Sequence, residues 1–192
     1  MASQPVGRMT EQEYLASERK AEHRSEYING DVYAMAGASW EHDQIVQNLA
    51  ADLRTKLRGT RRRSFGDNVR MRIPPARIYT YADLGVVCGP PRFADDEEDT
   101  LLNPTVLFEV LSDSTRGYDR GEKFAHYRRL ESLQEYLLVE QEGPHVEHFA
   151  RQADGSWVLR ECDGLEARVK LASAGCELAL GEVYENLDPP AA

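Results

Sequence analysis

The run TVLFEVL at residues 105–111 constrains this chain more than any other stretch. It has the length of a strand and lacks the polar alternation of a half-wet one. With Pro104 before it and the turn material SDST after it, it reads as a buried strand. Yet Glu109 stands in its middle, between Phe108 and Val110. An ionised carboxylate in apolar surroundings is costly unless it is paired, protonated or bound to a cation. Any fold built around this strand must bring a partner to Glu109.

Other local signals supply what surrounds it. EQEYLASERKAE, residues 11–22, holds good helix formers with little apolar content and predicts a peripheral helix. SEYINGDVYAMAG predicts a hairpin turning at Asn29-Gly30. Ser39 caps a helix in which Ile45, Val46, Leu49, Leu53 and Leu57 recur near the helical period, and Gly59 ends it. His42 shares that stripe, which is also where an ordinary core or capping histidine sits. NVRMRI alternates like a half-exposed strand, ADLGVVCG is a short buried run, and the five acids of residues 95–99 read as a solvated loop. Residues 118–130 predict a helix with Phe124, Tyr127 and Leu130 on one face, flawed mildly by Gly121. EYLLVEQ, HVEHFARQ and SWVLREC follow as consecutive strands, and the tail at residues 188–192 reads as loose.

At 192 residues, with 41% apolar and 29% charged residues, the chain suits one soluble domain, residues 1–192. No run approaches the roughly 18 apolar residues of a membrane span, and residues 1–20 carry no secretory core, so a cytoplasmic location without membrane contact is expected. Cys88, Cys162 and Cys176 are odd in number and widely spaced, which fits reduced thiols. The net charge of -10 argues against a surface that adheres indiscriminately to nucleic acid. Residues 54–77 depart from this, with nine basic residues against the single acid Asp67. That segment is either a solvated helix end and loop or a phosphate-binding surface.

Two buried runs each carry one acid that structure alone does not want, Asp83 and Glu109. On adjacent strands the two would converge and hold a hard divalent cation, which takes one or two carboxylates with water and phosphate completing its shell. A lysine or arginine meeting Glu109 is the other solution.

The order of residues adds to this. Asp83, then Glu109-Val110-Leu111, then a helix with Lys123 and Tyr127, with Glu26 on the early hairpin, resembles the PD-(D/E)XK nuclease superfamily. Within it the chain is similar to the Uma2 family of restriction-endonuclease domains. The matching stretches are EYINGDVYAMAGASWEH, YADLGVVC, PTVLFEVLSDST, YDRGEKFAHY and LQEYLLVE, spread over about residues 11–141. Two positions depart from the superfamily pattern: Ala82 replaces the proline before the first acid, and Leu111 occupies the usual lysine position, with Lys123 at a relocated one.

The resemblance implies an α/β fold: a mixed central sheet of restriction-endonuclease type, flanking helices, and extra C-terminal antiparallel strands at about residues 142–187. It implies hydrolysis of DNA phosphodiester bonds with Mg2+ or Mn2+ held by Asp83, Glu109 and the backbone carbonyl of Val110. Lys123 would orient water or stabilise charge on the phosphate, although four residues after Asp119 it also suits a surface ion pair. Glu26 would be an outer ligand or water-positioning group. His42 would contact phosphate or support a ligand, and Ser112, Thr115 and Tyr127 would support the site. Arg61, Arg62, Arg63, Arg70 and Arg72 would clamp the DNA backbone. A homodimer is the simplest way to cut both strands. A nucleic-acid-binding module that keeps this fold without turnover is the alternative.

Overall fold

The computed structural model of the chain describes residues 4–35, 37–74 and 76–187. The tail expected to be loose, residues 188–192, lies outside them. Strand β1 (Gly7–Arg8) leads into α1 (Glu11–Glu18), which Thr10 opens with a reciprocal capping box to Glu13. α1 is shorter than its propensity suggests and buries Tyr14 against Tyr27 and Tyr79. The hairpin β2 (Ser25–Ile28) and β3 (Asp31–Ala34) turns where expected, with Asn29 at φ 54° and Gly30 at φ 109°. α2 (Trp40–Lys56) starts at the Ser39 cap, whose hydroxyl accepts the His42 N–H at 3.2 Å. Ile45, Leu49 and Leu53 form its buried stripe.

Strands β4 (Arg62–Gly66), β5 (Arg70–Ile73), β6 (Ile78–Thr80), β7 (Leu84–Cys88), β8 (Thr100–Leu101) and β9 (Val106–Leu111) follow. A helical segment begins with α3 (Arg116–Tyr118), widens into a π-helical turn at Asp119–Lys123, and ends as α4 (Phe124–Tyr127). Then come β10 (Glu135–Glu140), β11 (His145–Arg151), β12 (Trp157–Asp163), β13 (Arg168–Leu171), β14 (Cys176–Ala179) and α5 (Leu180–Val183).

The fold is mixed α and β, but the strands divide into two six-stranded sheets and a small pair rather than one central sheet. One sheet runs β1-β3-β2-β6-β5-β8; the other runs β12-β11-β10-β9-β7-β4 and includes the parallel pair β9–β10. The central strands β7, β9 and β10 of this second sheet are covered on both faces, which is why TVLFEVL shows no polar alternation. Val106, Phe108 and Val110 point to α2, β13, β14 and α5. Leu107 and Leu111 point to the other face, where the helical segment and strands β5 and β6 pack. The C-terminal residues 167–187 share a core with α2.

The structure changes some local expectations. The helix read at residues 118–130 ends at Tyr127 and carries the π turn. The acid loop is not only solvated, since Asp95 and Asp99 bond Arg19 at 2.6 and 2.8 Å. Arg70, expected on the exposed face of its strand as a contact to the DNA backbone, is instead buried against Asp99 at 2.8 Å. The three cysteines are unpaired and partly buried.

Candidate active site

Strands β7 and β9 pair antiparallel with Leu84 opposite Phe108, so Asp83, one residue before β7, comes beside Glu109 and Val110. Asp83 Oδ2 accepts the backbone N–H of Val110 at 2.7 Å. His42, in the first turn of α2, places Nε2 3.2 Å from the same oxygen. By strand alternation Glu109 faces the helical segment. Its Oε2 lies 2.9 Å from Lys123 Nζ and its Oε1 accepts the Tyr127 hydroxyl at 2.8 Å. The buried carboxylate is therefore paired with a lysine and a phenol from one helix.

The π turn makes this possible. One widened turn carries both Asp119 and Lys123 inward, at 3% and 7% exposure, instead of leaving them as a surface pair. Lys123 Nζ lies 3.7 Å from Asp119 Oδ1 and 3.8 Å from Glu26 Oε1. Glu26 comes from β2 in the other sheet, where it accepts the Thr80 hydroxyl and, at 3.3 Å, the Tyr118 hydroxyl. The turn is fastened from outside: Arg116 reaches Glu140 at 3.0 Å, and Arg120 reaches Glu140 and Glu147 at 2.7 and 2.6 Å.

Glu109, Glu26 and Asp119 surround a single ammonium, and Asp83 acts on it through charge alone. Burial opposes charge on Lys123, but Glu109, Glu26 and Asp119 outweigh it and raise its pKa well above the ordinary lysine value. Burial also raises Glu109 well above the usual carboxylate range, with Lys123 opposing and Asp83 and Asp119 adding to the rise. Asp119 rises for the same leading reason, burial. For His42 burial is opposed by the hydrogen bond and charge of Asp83, and the net shift is upward.

The cluster gathers four carboxyl groups around one ammonium, and Asp83 and His42, at 20% and 15% side-chain exposure, are its opening to solvent. Hard oxygen donors and an open side suit Mg2+ or Mn2+. Among the described residues no three His, Cys, Asp or Glu side chains form a ready-made metal cage. A cation here would rest on Asp83 and Glu109 with water or phosphate completing its shell.

The remaining expected residues are placed as follows. Val110 meets Asp83 through its N–H. Ser112 Oγ lies 3.0 Å from Thr115 Oγ1 in the turn that launches α3, and the Thr115 side chain hydrogen-bonds Asp119. Arg70 and Arg72 lie in the other sheet, and Arg72 pairs with Glu11 at 3.4 Å. The Arg-rich stretch is thus divided, because Arg62 and Arg63 are on β4 with Arg61 just before it. Asp119, Tyr118 and Thr80 were missing from the expected site. Asp119 stood in the matching stretch YDRGEKFAHY and four residues before Lys123, but had no role assigned.

Residues 11–181 match the Uma2 family, described as "Putative restriction endonuclease". The uncharacterized protein sll1609 of Synechocystis sp. is 35% identical over 164 residues, covering 85% of this chain and 93% of that protein. Its compatriot slr1290, also uncharacterized, is 31% identical over 187 residues and covers 96% of each. A crystal structure from Anabaena variabilis, titled as "a putative nuclease belonging to DUF820", superposes with a TM-score of 0.73 at 18% identity, covering 92% of this chain and 97% of that one. At that identity the likeness shows the fold.

Proposed function

The chain belongs to the Uma2 family, and from that premise we propose that it is a metal-dependent endonuclease hydrolysing DNA phosphodiester bonds. The observation that carries the reading is the convergence of Asp83, Glu109 and Lys123 from two neighbouring strands and the following helix. Asp83 and Glu109 would hold Mg2+ or Mn2+, which when bound supplies a Lewis acid and lowers the pKa of a coordinated water.

The chain's own groups would do the rest. Lys123, kept charged by its carboxylate neighbours, offers an ammonium where negative charge grows on the phosphate. The Tyr127 hydroxyl fixes the rotamer of Glu109, and the Val110 N–H and His42 fix Asp83. Glu26, held by Thr80 and Tyr118, would position water beside Lys123. A two-fold dimer would place two such sites on opposite strands, and light scattering would then give twice the 21.7 kDa chain mass.

The test is plasmid nicking with Mg2+ or Mn2+ by the wild type, Asp83→Asn and Lys123→Met, with calorimetric titration of Mn2+ into each. Nicking and metal binding by the wild type, with neither retained by Asp83→Asn, is expected. DNA left intact by the wild type over a wide range of salt and pH refutes the proposal. The second reading, a DNA-binding module without turnover, is favoured by the fact that both oxygens of Glu109 already have protein partners. Tight DNA binding that Glu109→Ala leaves unchanged, without metal-stimulated cleavage, selects it.

A further inference from the structure

We propose that the arginines at the far end of α2 form a phosphate-binding anchor for duplex DNA, remote from the carboxylate cluster. The choice of DNA rests on the proposed function; the separateness of the anchor rests on geometry. α2 begins at the cluster, where His42 meets Asp83, and carries Arg54 about 18 Å further along its axis. β7 also begins beside Asp83 and ends at Cys88, about 17 Å away at strand rise. At that end Arg62 pairs with Cys88, and the Gly89 N–H donates to the Arg61 carbonyl at 3.1 Å. Two elements thus independently place Arg54, Arg58, Arg61, Arg62 and Arg63 at the end opposite the cluster. Arg92 lies on the loop four residues beyond β7, its backbone N–H donating to Asn103 Oδ1 at 2.7 Å.

None of these six has a carboxylate partner among the described residues, although the chain carries net charge -10. Lys56, in the same region, is already neutralised by Asp52 at 2.6 Å and Glu182 at 3.0 Å. Basic residues on an edge strand often serve only to block edge pairing. That accounts for Arg62 and Arg63 on β4, the edge of its sheet. It does not account for Arg54 and Arg58 at the helix end or for Arg92 on the loop. Arg62 and Arg63 alternate across β4, Arg62 over Gly175 and Arg63 beside Val87 and Phe93. Unpaired guanidiniums from three elements thus flank both sides of this edge of an acidic protein and match a repeating phosphate array. With one phosphate per about 3.4 Å along each strand, the anchor would grip the backbone about five base pairs from the site of cutting.

The test uses the full chain in EDTA, so that cleavage plays no part. Fluorescence anisotropy follows binding of a duplex of about 20 base pairs as salt is varied, for the wild type and the triple variant Arg58→Ala/Arg61→Ala/Arg63→Ala. The triple variant should lower the slope of log affinity against log salt by about 3, near 0.9 per lost phosphate contact. The matching triple Arg→Lys variant should keep the wild-type slope, which separates loss of charge from loss of folding. Asp83→Asn should keep it too. An Ala variant whose slope stays within about one of wild type overturns the proposal, as does a wild type that binds no duplex. An equal slope change in Asp83→Asn overturns the separation of the two sites. If the slope falls as expected while the wild type cuts no plasmid, the anchor stands and the nuclease reading fails.

Discussion

Replacing Lys123 by Met should cost far more stability than replacing its closest partner, Glu109, by Gln. Lys123 is the single ammonium facing Glu109 at 2.9 Å, Asp119 at 3.7 Å and Glu26 at 3.8 Å. At an effective dielectric near 20 these separations correspond to gross attractions of about 6, 4 and 4 kcal/mol, most of which desolvation offsets. Removing the ammonium strands several buried carboxylates, so a net loss of about 3–5 kcal/mol is expected for Lys123→Met. Removing one carboxylate instead leaves Lys123 with Asp119 and Glu26 and relieves repulsion from Asp83. Glu109→Gln, which can still accept from Tyr127, should therefore change stability by about 1 kcal/mol or less.

The pH dependence follows from the same charges. A carboxylate whose folded pKa is raised binds its proton more tightly when folded, so stability falls as pH rises from its unfolded value of 4.5 through the folded one. Without Lys123 this effect on Glu109 and Asp119 grows, and Lys123→Met should recover much of its loss at about pH 5 relative to about pH 8. Lys123 itself, with a folded pKa above 10.5, contributes stability that is present below 10.5 and lost as pH rises through the folded value. Urea unfolding followed by circular dichroism at both pH values measures these differences. Equal losses in the two variants, or a Lys123→Met loss that ignores pH, would refute the charge count on which the prediction rests.

Further predictions concern the scaffold. A Cβ at Gly85 would lie 2.3 Å from Phe65 Cζ across the β4–β7 pair, so Gly85→Ala should cost about 1–3 kcal/mol by displacing the ring. A double variant with Phe65→Leu should recover part of that in thermal melts, and an unperturbed Gly85→Ala would count against the packing described. Glu135 is buried, which raises its pKa, but His148 at 2.8 Å and Ser173 at 2.7 Å outweigh burial and hold it below 4.5. Its stabilisation is thus present above 4.5 and lost as pH falls through the folded value. Glu135→Gln should cost about 1–3 kcal/mol at neutral pH and flatten the acid limb of the stability profile; an unchanged limb contradicts this. Asp99→Asn removes the carboxylate facing buried Arg70 and should cost about 1–3 kcal/mol in urea unfolding, less than a fully buried pair because Asp99 is a third exposed. A loss below the error of that measurement would show that Arg70 is held by Thr100 alone.

Much of the backbone could be read directly from the chain. Asn29-Gly30 marked its hairpin because both residues tolerate positive φ. Ser39 marked the start of α2 because its hydroxyl satisfies an orphan N–H. The apolar runs marked β7, β9 and β10 because a strand buried on both faces has no reason to alternate. Chemistry was legible where it broke such a rule: Glu109 was conspicuous because an apolar run does not tolerate an unpartnered carboxylate. Asp119 broke no rule, since an acid four residues before a lysine on a helix is common on surfaces. Its burial depends on the π turn, a change of hydrogen-bond spacing that no side-chain pattern announces.

The sequence by itself determined the β2–β3 hairpin, α2 and the buried strands β7, β9 and β10, and that Glu109 must have a partner, because backbone propensity, turn geometry and the cost of burying charge act over a few residues. Only the tertiary structure decided who that partner is, that Glu26 reaches the cluster from a different sheet, and that Arg70 turns inward to Asp99 while Arg61, Arg62 and Arg63 lie at the far end of α2. Charge pairing depends on distance in space, and distance in space is set by strand register and helix packing between residues far apart in the chain.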